Sequence, residues 1–207
     1  MNLYSPKSLP GAVLRMALLI VCGSSFAGTA DDSIQKTAGT SESATPAAET
    51  QSAGTLTAGT WKDVEALVAK NRGKIVVVDI WSLSCAPCVA EFPYLVALQT
   101  ADPDNIVCVG FNVDYAGIKT KPPETYRPRV EKFLAKHKAG FPNFLCTDEA
   151  EKVFGDLKLV SIPAVYVFAP DGTLAKRFDS SLLVDGKEEA FTYDADIIPF
   201  VAKLQKQ

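Results

Sequence analysis

Histidine is almost missing from this chain: His137 is the only one in 207 residues. It falls with Val130, Phe133 and Leu134 on one apolar stripe, so a partly buried, satisfied imidazole is its expected role rather than metal ligation. Runs of one charge are missing too. Twenty-one Lys and Arg against 24 Asp and Glu give a formal charge of −3, and without a basic tract nothing marks a nucleic-acid partner. No apolar run reaches the ~20 residues of a membrane span. No internal repeat and no nucleotide- or flavin-binding motif is present. The five cysteines, Cys22, Cys85, Cys88, Cys108 and Cys146, include one close pair, which excludes a small disulfide-stapled scaffold.

What is present begins with an export signal, read over residues 1–27. Lys7 and Arg15 form its positive flank and Met16 to Val21 its apolar run. Ser25-Phe26-Ala27 and Gly28-Thr29-Ala30 offer small-x-small cleavage sites. Leu19-Ile20-Val21-Cys22 matches a lipoprotein box only in part, because Val21 stands where Gly, Ala or Ser is expected. Plain cleavage is therefore favoured over a lipid tether at Cys22. An extracytoplasmic location follows, where disulfides persist.

Residues 28–58 are rich in Ala, Thr, Ser, Gly and Glu and hardly hold a large apolar side chain. Such a stretch cannot offset its ordering entropy and reads as a flexible linker. The folded domain is expected over 59–207. Thr60-Trp61-Lys62-Asp63 has the spacing of a helix start, and Trp61, Val64, Leu67 and Val68 share one face. Lys74 to Trp81 is a continuous β-branched run broken by Asp79, as in a strand covered on both faces. A helix to about Thr100 follows, then a strand over Asn105–Val113, a loop over 115–126 and a helix carrying Val130 and Leu134. Phe141 to Cys146 reads as a short strand and Asp148 to about Leu157 as a short helix. Pro170-Asp171-Gly172 joins two strands as a hairpin, and Ile197, Ile198, Val201 and Leu204 mark a last helix. This order predicts a three-layer α/β fold.

Cys85-Ala86-Pro87-Cys88 sits between a buried strand and a helix. A helix N-terminus stabilises a thiolate through its dipole and free N–H groups. Pro87 falls in the first turn, where a missing N–H costs nothing. Two intervening residues bring the second sulfur near enough to close a disulfide. Cys85 is then the exposed nucleophile and Cys88 the shielded resolving thiol. Other readings of a bare pair are half of a zinc site, an inert structural disulfide, or chance. The zinc reading lacks its other half, since Cys108 and Cys146 are isolated and read as buried thiols.

The segment Val78 to Cys88 resembles the active site of the thioredoxin superfamily. Its continuation, Val89-Ala90-Glu91-Phe92-Pro93-Tyr94, is similar to TlpA/ResA-like thiol–disulfide oxidoreductases. A third element, Ile162-Pro163 before a strand, stands in the right order downstream. The resemblance implies a thioredoxin-like fold with a central mixed sheet flanked by helices. It implies that Pro163 is a cis-proline beside the disulfide, and that the Ile162 edge pairs with an extended substrate. It also implies that Asp79 moves the proton of the resolving cysteine, that Glu91 is the acid of the site, and that Trp81, Ser84, Pro87 and Ile162 contact substrate. A buried acid such as Asp79 is expected to have a raised pKa, suited to accepting a proton near neutral pH. No cofactor beyond the redox-active disulfide is expected. Partners would be protein disulfide substrates, apocytochrome c and other exported cysteine proteins among them, and an upstream redox protein.

Three features depart from the family pattern. Ser84 stands where Trp usually precedes the first cysteine, and Gly110 replaces the strand lysine that neighbours the acid in many thioredoxins. Ala86-Pro87 carries no charge to stabilise the Cys85 thiolate, which points to a reductant or a moderate exchanger. Ser82-Leu83-Ser84-Cys85 lacks the Thr of a peroxidase Thr-x-x-Cys. The basic residues between Lys119 and Arg129 read as a solvated loop, with a partner-contact site as the alternative. The competing function class is a non-enzymatic copper chaperone or binding module on the same fold.

Overall fold

The computed structural model describes residues 54–179, 183–184, 187–188 and 191–206. The expected signal over 1–27, Cys22 and most of the linker lie outside the described residues. Among the described residues no helix is long and apolar enough to cross a membrane.

The elements follow in the order β1 (Leu56–Gly59), α1 (Trp61–Lys70), β2 (Ile75–Trp81), α2 (Ala86–Ala101) and β3 (Ile106–Asn112). A 3₁₀ turn (Pro123–Thr125), α3 (Arg127–His137), β4 (Asn143–Cys146), α4 (Ala150–Leu157), β5 (Ala164–Phe168) and β6 (Leu174–Asp179) come next. Two-residue strands β7 (Leu183–Val184) and β8 (Lys187–Glu188), a π-turn (Tyr193–Ile197) and α5 (Ile198–Leu204) complete it. Six strands form one mixed sheet in the order β1-β4-β3-β2-β5-β6. β1, β4, β3 and β2 run parallel, and β5 and β6 are antiparallel to their neighbours.

β2 explains the layering. All seven of its residues are buried, as its unbroken apolar run demands. Ile75, Val77 and Trp81 face a cluster with Cys88, Phe92, Leu95 and Leu98 of α2, Val130 and Leu134 of α3, and Val201 of α5. Val76, Val78 and Ile80 face the other cluster, with Val64 and Val68 of α1 and Val153 of α4. A side chain of this size gains about 1.5–3 kcal/mol on full burial, so the alternation fixes the register of β2 firmly. The three-layer α/β architecture expected above is the one observed.

Local signals hold the ends in place. The Thr60 N–H donates to Asp63 Oδ2 at 2.7 Å, closing the start of α1. Gly172, with φ of 83°, makes the β5–β6 turn, where a side chain would be strained.

One boundary differs from the sequence reading. Residues 56–58, assigned to the linker, belong to β1, which pairs with β4 from Leu56↔Asn143 to Gly59↔Cys146. Leu56-Thr57-Ala58-Gly59 has too little apolar side chain to announce a strand. Its order comes from the free edge of β4 and from Arg127, whose Nη1 donates to the Leu56 carbonyl at 2.7 Å. Arg127 also pairs with Glu124 and Glu131, so within the stretch read as a solvated basic loop it ties α3 to the sheet edge.

Candidate active site

β2 ends at Trp81, and the chain turns through Ser82, Leu83 and Ser84 into α2. Asp114, two residues beyond β3, holds that turn. Its Oδ1 accepts from the Ser82 hydroxyl at 2.5 Å and from the Leu83 N–H at 2.9 Å. The Asn112 amide donates to its Oδ2 at 3.3 Å. The Ser84 N–H in turn donates to Ser82 Oγ at 3.0 Å. The loop before the cysteines is thus fixed by one buried carboxylate, and the Ser82 hydroxyl is committed to it.

Cys85 caps α2. Its Sγ accepts from the Cys88 N–H at 3.2 Å, and its carbonyl from the Val89 N–H at 3.1 Å. The two cysteines are joined in a disulfide. Cys85 is half-buried, whereas Cys88 is buried in the core cluster. Ser84, Ala86 and Pro87 beside them are exposed.

Asp79 lies on the same face of β2 as Val77 and Trp81, whose cluster includes Cys88. Its carboxyl is buried, and that burial pushes its pKa up to about 7. The hydrogen bond from Tyr193 opposes the rise, and the charge of Glu91 adds to it. The Tyr193 hydroxyl donates to Asp79 Oδ2 at 2.8 Å. Glu91, half-buried one turn beyond Cys88, accepts the Tyr193 backbone N–H on Oε2 at 2.9 Å. Gly110 sits opposite Asp79 in the β2–β3 register, and Asn143 sits opposite Gly110 in the β3–β4 register. A side chain at Gly110 would collide with Asn143 Oδ1 and crowd Trp81 Nε1 at 3.2 Å. Among the described residues Asp79 Oδ1, Trp81 Nε1 and Asn143 Oδ1 are buried without a hydrogen-bond partner. The centre of the sheet therefore carries a small polar row.

The Ile162-Pro163 bond is cis. β5 follows directly, and Ile80 pairs with Ala164, so Pro163 lies alongside the end of β2 that leads into the cysteine loop. Ile162 and Cys85 are both half-buried against the core cluster. The cysteines therefore start α2 just past the end of β2 that carries Asp79, Glu91 follows one turn along α2, and the cis Ile162-Pro163 bond leads into β5 beside that same strand.

Trp81 must be corrected. Expected to contact substrate, it is wholly buried, with Phe92 and Phe133 at ring centroids of 4.8 and 4.9 Å. In a strand covered on both faces, its side chain alternates into the core rather than towards the loop. His137 stacks on Phe133 at 4.4 Å, and burial holds its pKa below the usual imidazole value. Cys108 and Cys146 are buried free thiols. No cluster of three or more metal-ligating side chains occurs among the described residues.

Two site residues escaped the sequence reading. Asp114 had a usable signal, a polar residue at the carboxyl end of a parallel strand, where α/β sites gather. Tyr193 had none, being 114 residues from its partner Asp79.

The model of the AhpC/TSA family matches residues 47–177. The thioredoxin-like superfamily protein SPOA0173 superposes with a TM-score of 0.50 at 17% identity, covering 68% of this chain and 85% of its own. MTB DsbF, solved in mixed oxidized and reduced forms, gives 0.46 at 18% identity, covering 65% and 84%. A thiol:disulfide interchange protein of the thioredoxin family from Chlorobium tepidum gives 0.46 at 19%, covering 66% and 83%.

Proposed function

Since the chain belongs to the AhpC/TSA family, within the thioredoxin superfamily of thiol oxidoreductases, we propose that it is an exported enzyme that reduces disulfides in extracytoplasmic proteins through Cys85 and Cys88. One observation carries this reading: a half-exposed sulfur caps a helix while its bonded partner lies buried in the cluster beside Asp79, a carboxyl that titrates near neutrality.

In the reduced protein the Cys85 thiolate attacks one sulfur of a substrate disulfide. That S–S bond breaks, a mixed disulfide forms, and the first substrate thiolate leaves and takes a proton. Cys88 then loses its proton to Asp79 and attacks Cys85 Sγ; the second substrate sulfur leaves as a thiolate and takes a proton as Asp79 gives one up. The substrate gains two electrons and two protons, and the Cys85–Cys88 disulfide remains. In this reading Pro163 and Ile162 meet the substrate beside Cys85, and Ser84 and Pro87, both exposed, border it. An upstream dithiol protein returns the pair to the reduced state. The uncharged Ala86-Pro87 bridge favours the reducing direction, and a potential near that of strong oxidants, about −120 mV, would overturn that direction.

The test is capture. A Cys88→Ser chain, expressed in its own compartment, should accumulate mixed disulfides at Cys85 with cysteine-containing proteins. Finding none, with Cys85 also unreactive to alkylation after reduction, would sink the enzymatic reading. Stoichiometric copper binding that needs both cysteines, without disulfide reduction, would replace it with a metal chaperone.

A further inference from the structure

The buried carboxyl of Asp79 is faced from several elements. α2 contributes Glu91 and, in the cluster shared with Val77 and Trp81, Cys88. β3 contributes Cys108, its thiol pushed well up by burial and by the Asp79 charge, while Gly110 opposite the acid offers no side chain. β5 pairs its apolar Val165 with Asp79. The remaining neighbour is Tyr193, whose hydroxyl makes the one side-chain hydrogen bond found on Asp79 among the described residues.

We propose that Tyr193 is a positioning residue of the exchange reaction: its hydroxyl holds Asp79 and its backbone N–H holds Glu91, so one residue of the C-terminal turn fixes both carboxylates behind Cys88. The inference rests on Cys85 and Cys88 being a working redox pair. Four features support it. The ring is buried at 2% exposure within the core cluster, so the hydroxyl cannot swing to water. A phenol has one proton to donate, and at 2.8 Å it is directed at Oδ2. Donation to the carboxylate favours the ionised form, the form that can accept the Cys88 proton. The phenol's own ionisation is suppressed by burial and by the Asp79 charge, so it remains a donor across the working pH range.

Tyr193→Phe in the full chain tests this, since it deletes the hydroxyl and keeps both the ring and the backbone contact to Glu91. Two readouts are needed. The first is the carboxyl titration of Asp79 followed by ¹³C NMR in the oxidised protein. The second is the pH dependence of Cys88 attack on a mixed disulfide formed at Cys85 with a chromogenic aromatic disulfide. Loss of a hydrogen bond to a charged group should move the Asp79 midpoint up by about one to two pH units. Cys88 attack should slow by about 10- to 100-fold on the acid side, with the two proteins converging above the new midpoint. In an Asp79→Asn background the Phe substitution should leave the pH profile unmoved. An unshifted Asp79 titration, or a rate lowered equally at every pH, would overturn the role given to Tyr193. A wild-type protein that exchanges no disulfide while its Asp79 midpoint still moves on Tyr193→Phe would overturn the proposed enzyme instead.

Discussion

Replacing Asp79 by Asn should stabilise the oxidised protein, and by an amount that depends on pH. The folded carboxyl titrates at about 7 against an ordinary 3.8. Below the lower value the group is protonated in both folded and unfolded chains. Between the two values the folded chain keeps a proton that the unfolded chain has released, so stability falls as pH rises. At 1.36 kcal/mol per unit the accumulated loss is about 4 kcal/mol above pH 7. An amide at this position titrates in neither state and removes that slope. The variant should therefore match the wild type near pH 4 and exceed it by about 4 kcal/mol at pH 8. Urea unfolding of both proteins across pH 4–8.5, with the Cys85–Cys88 bond intact, measures the difference while the other groups cancel. A stability difference that is constant with pH would refute the reasoning, because only a buried ionisation produces the slope. The same substitution deletes the proton acceptor, so slower Cys88 attack should accompany the added stability.

Two further outcomes follow from packing. Gly110→Ala should destabilise by about 1–3 kcal/mol, because the new methyl group meets Asn143 Oδ1. Adding Asn143→Ala should recover part of that loss in a double-mutant cycle read by thermal unfolding, and strict additivity would count against the contact. Alkylation of the reduced native protein should modify Cys85 first and leave Cys108 and Cys146 untouched until unfolding. Both are buried, and the Cys146 thiol is pushed up to about 11. Mass spectrometry that finds either one labelled in the folded state would contradict this.

The parts of the fold that were legible in the sequence are those encoded locally. β2 announced itself because both of its faces are apolar, and α2 because a Cys-x-x-Cys with Pro87 in the first turn marks a helix start. The hairpin needed only Pro170-Asp171-Gly172. Asp79 stood out as a lone acid in an apolar run, and its titration near neutrality follows from that placement. β1 was missed because its order is borrowed from β4 and Arg127. Trp81 was misplaced because its substrate contact was carried over from the family resemblance, whereas its own run, apolar on both sides, places it in the core. Tyr193 could not be seen, because its importance lies in a partner more than a hundred residues away.

That separation also orders events while the chain is being made. Synthesis runs from the N-terminus, so the strand with Asp79 and the cysteine pair emerge before the aromatic residue that completes their surroundings. A nascent chain ending before residue 193 already carries both reactive sulfurs, but the acid beside them lacks its phenol partner. The hydrogen bonds from this residue to Asp79 and Glu91 can therefore form only once residue 193 has been added.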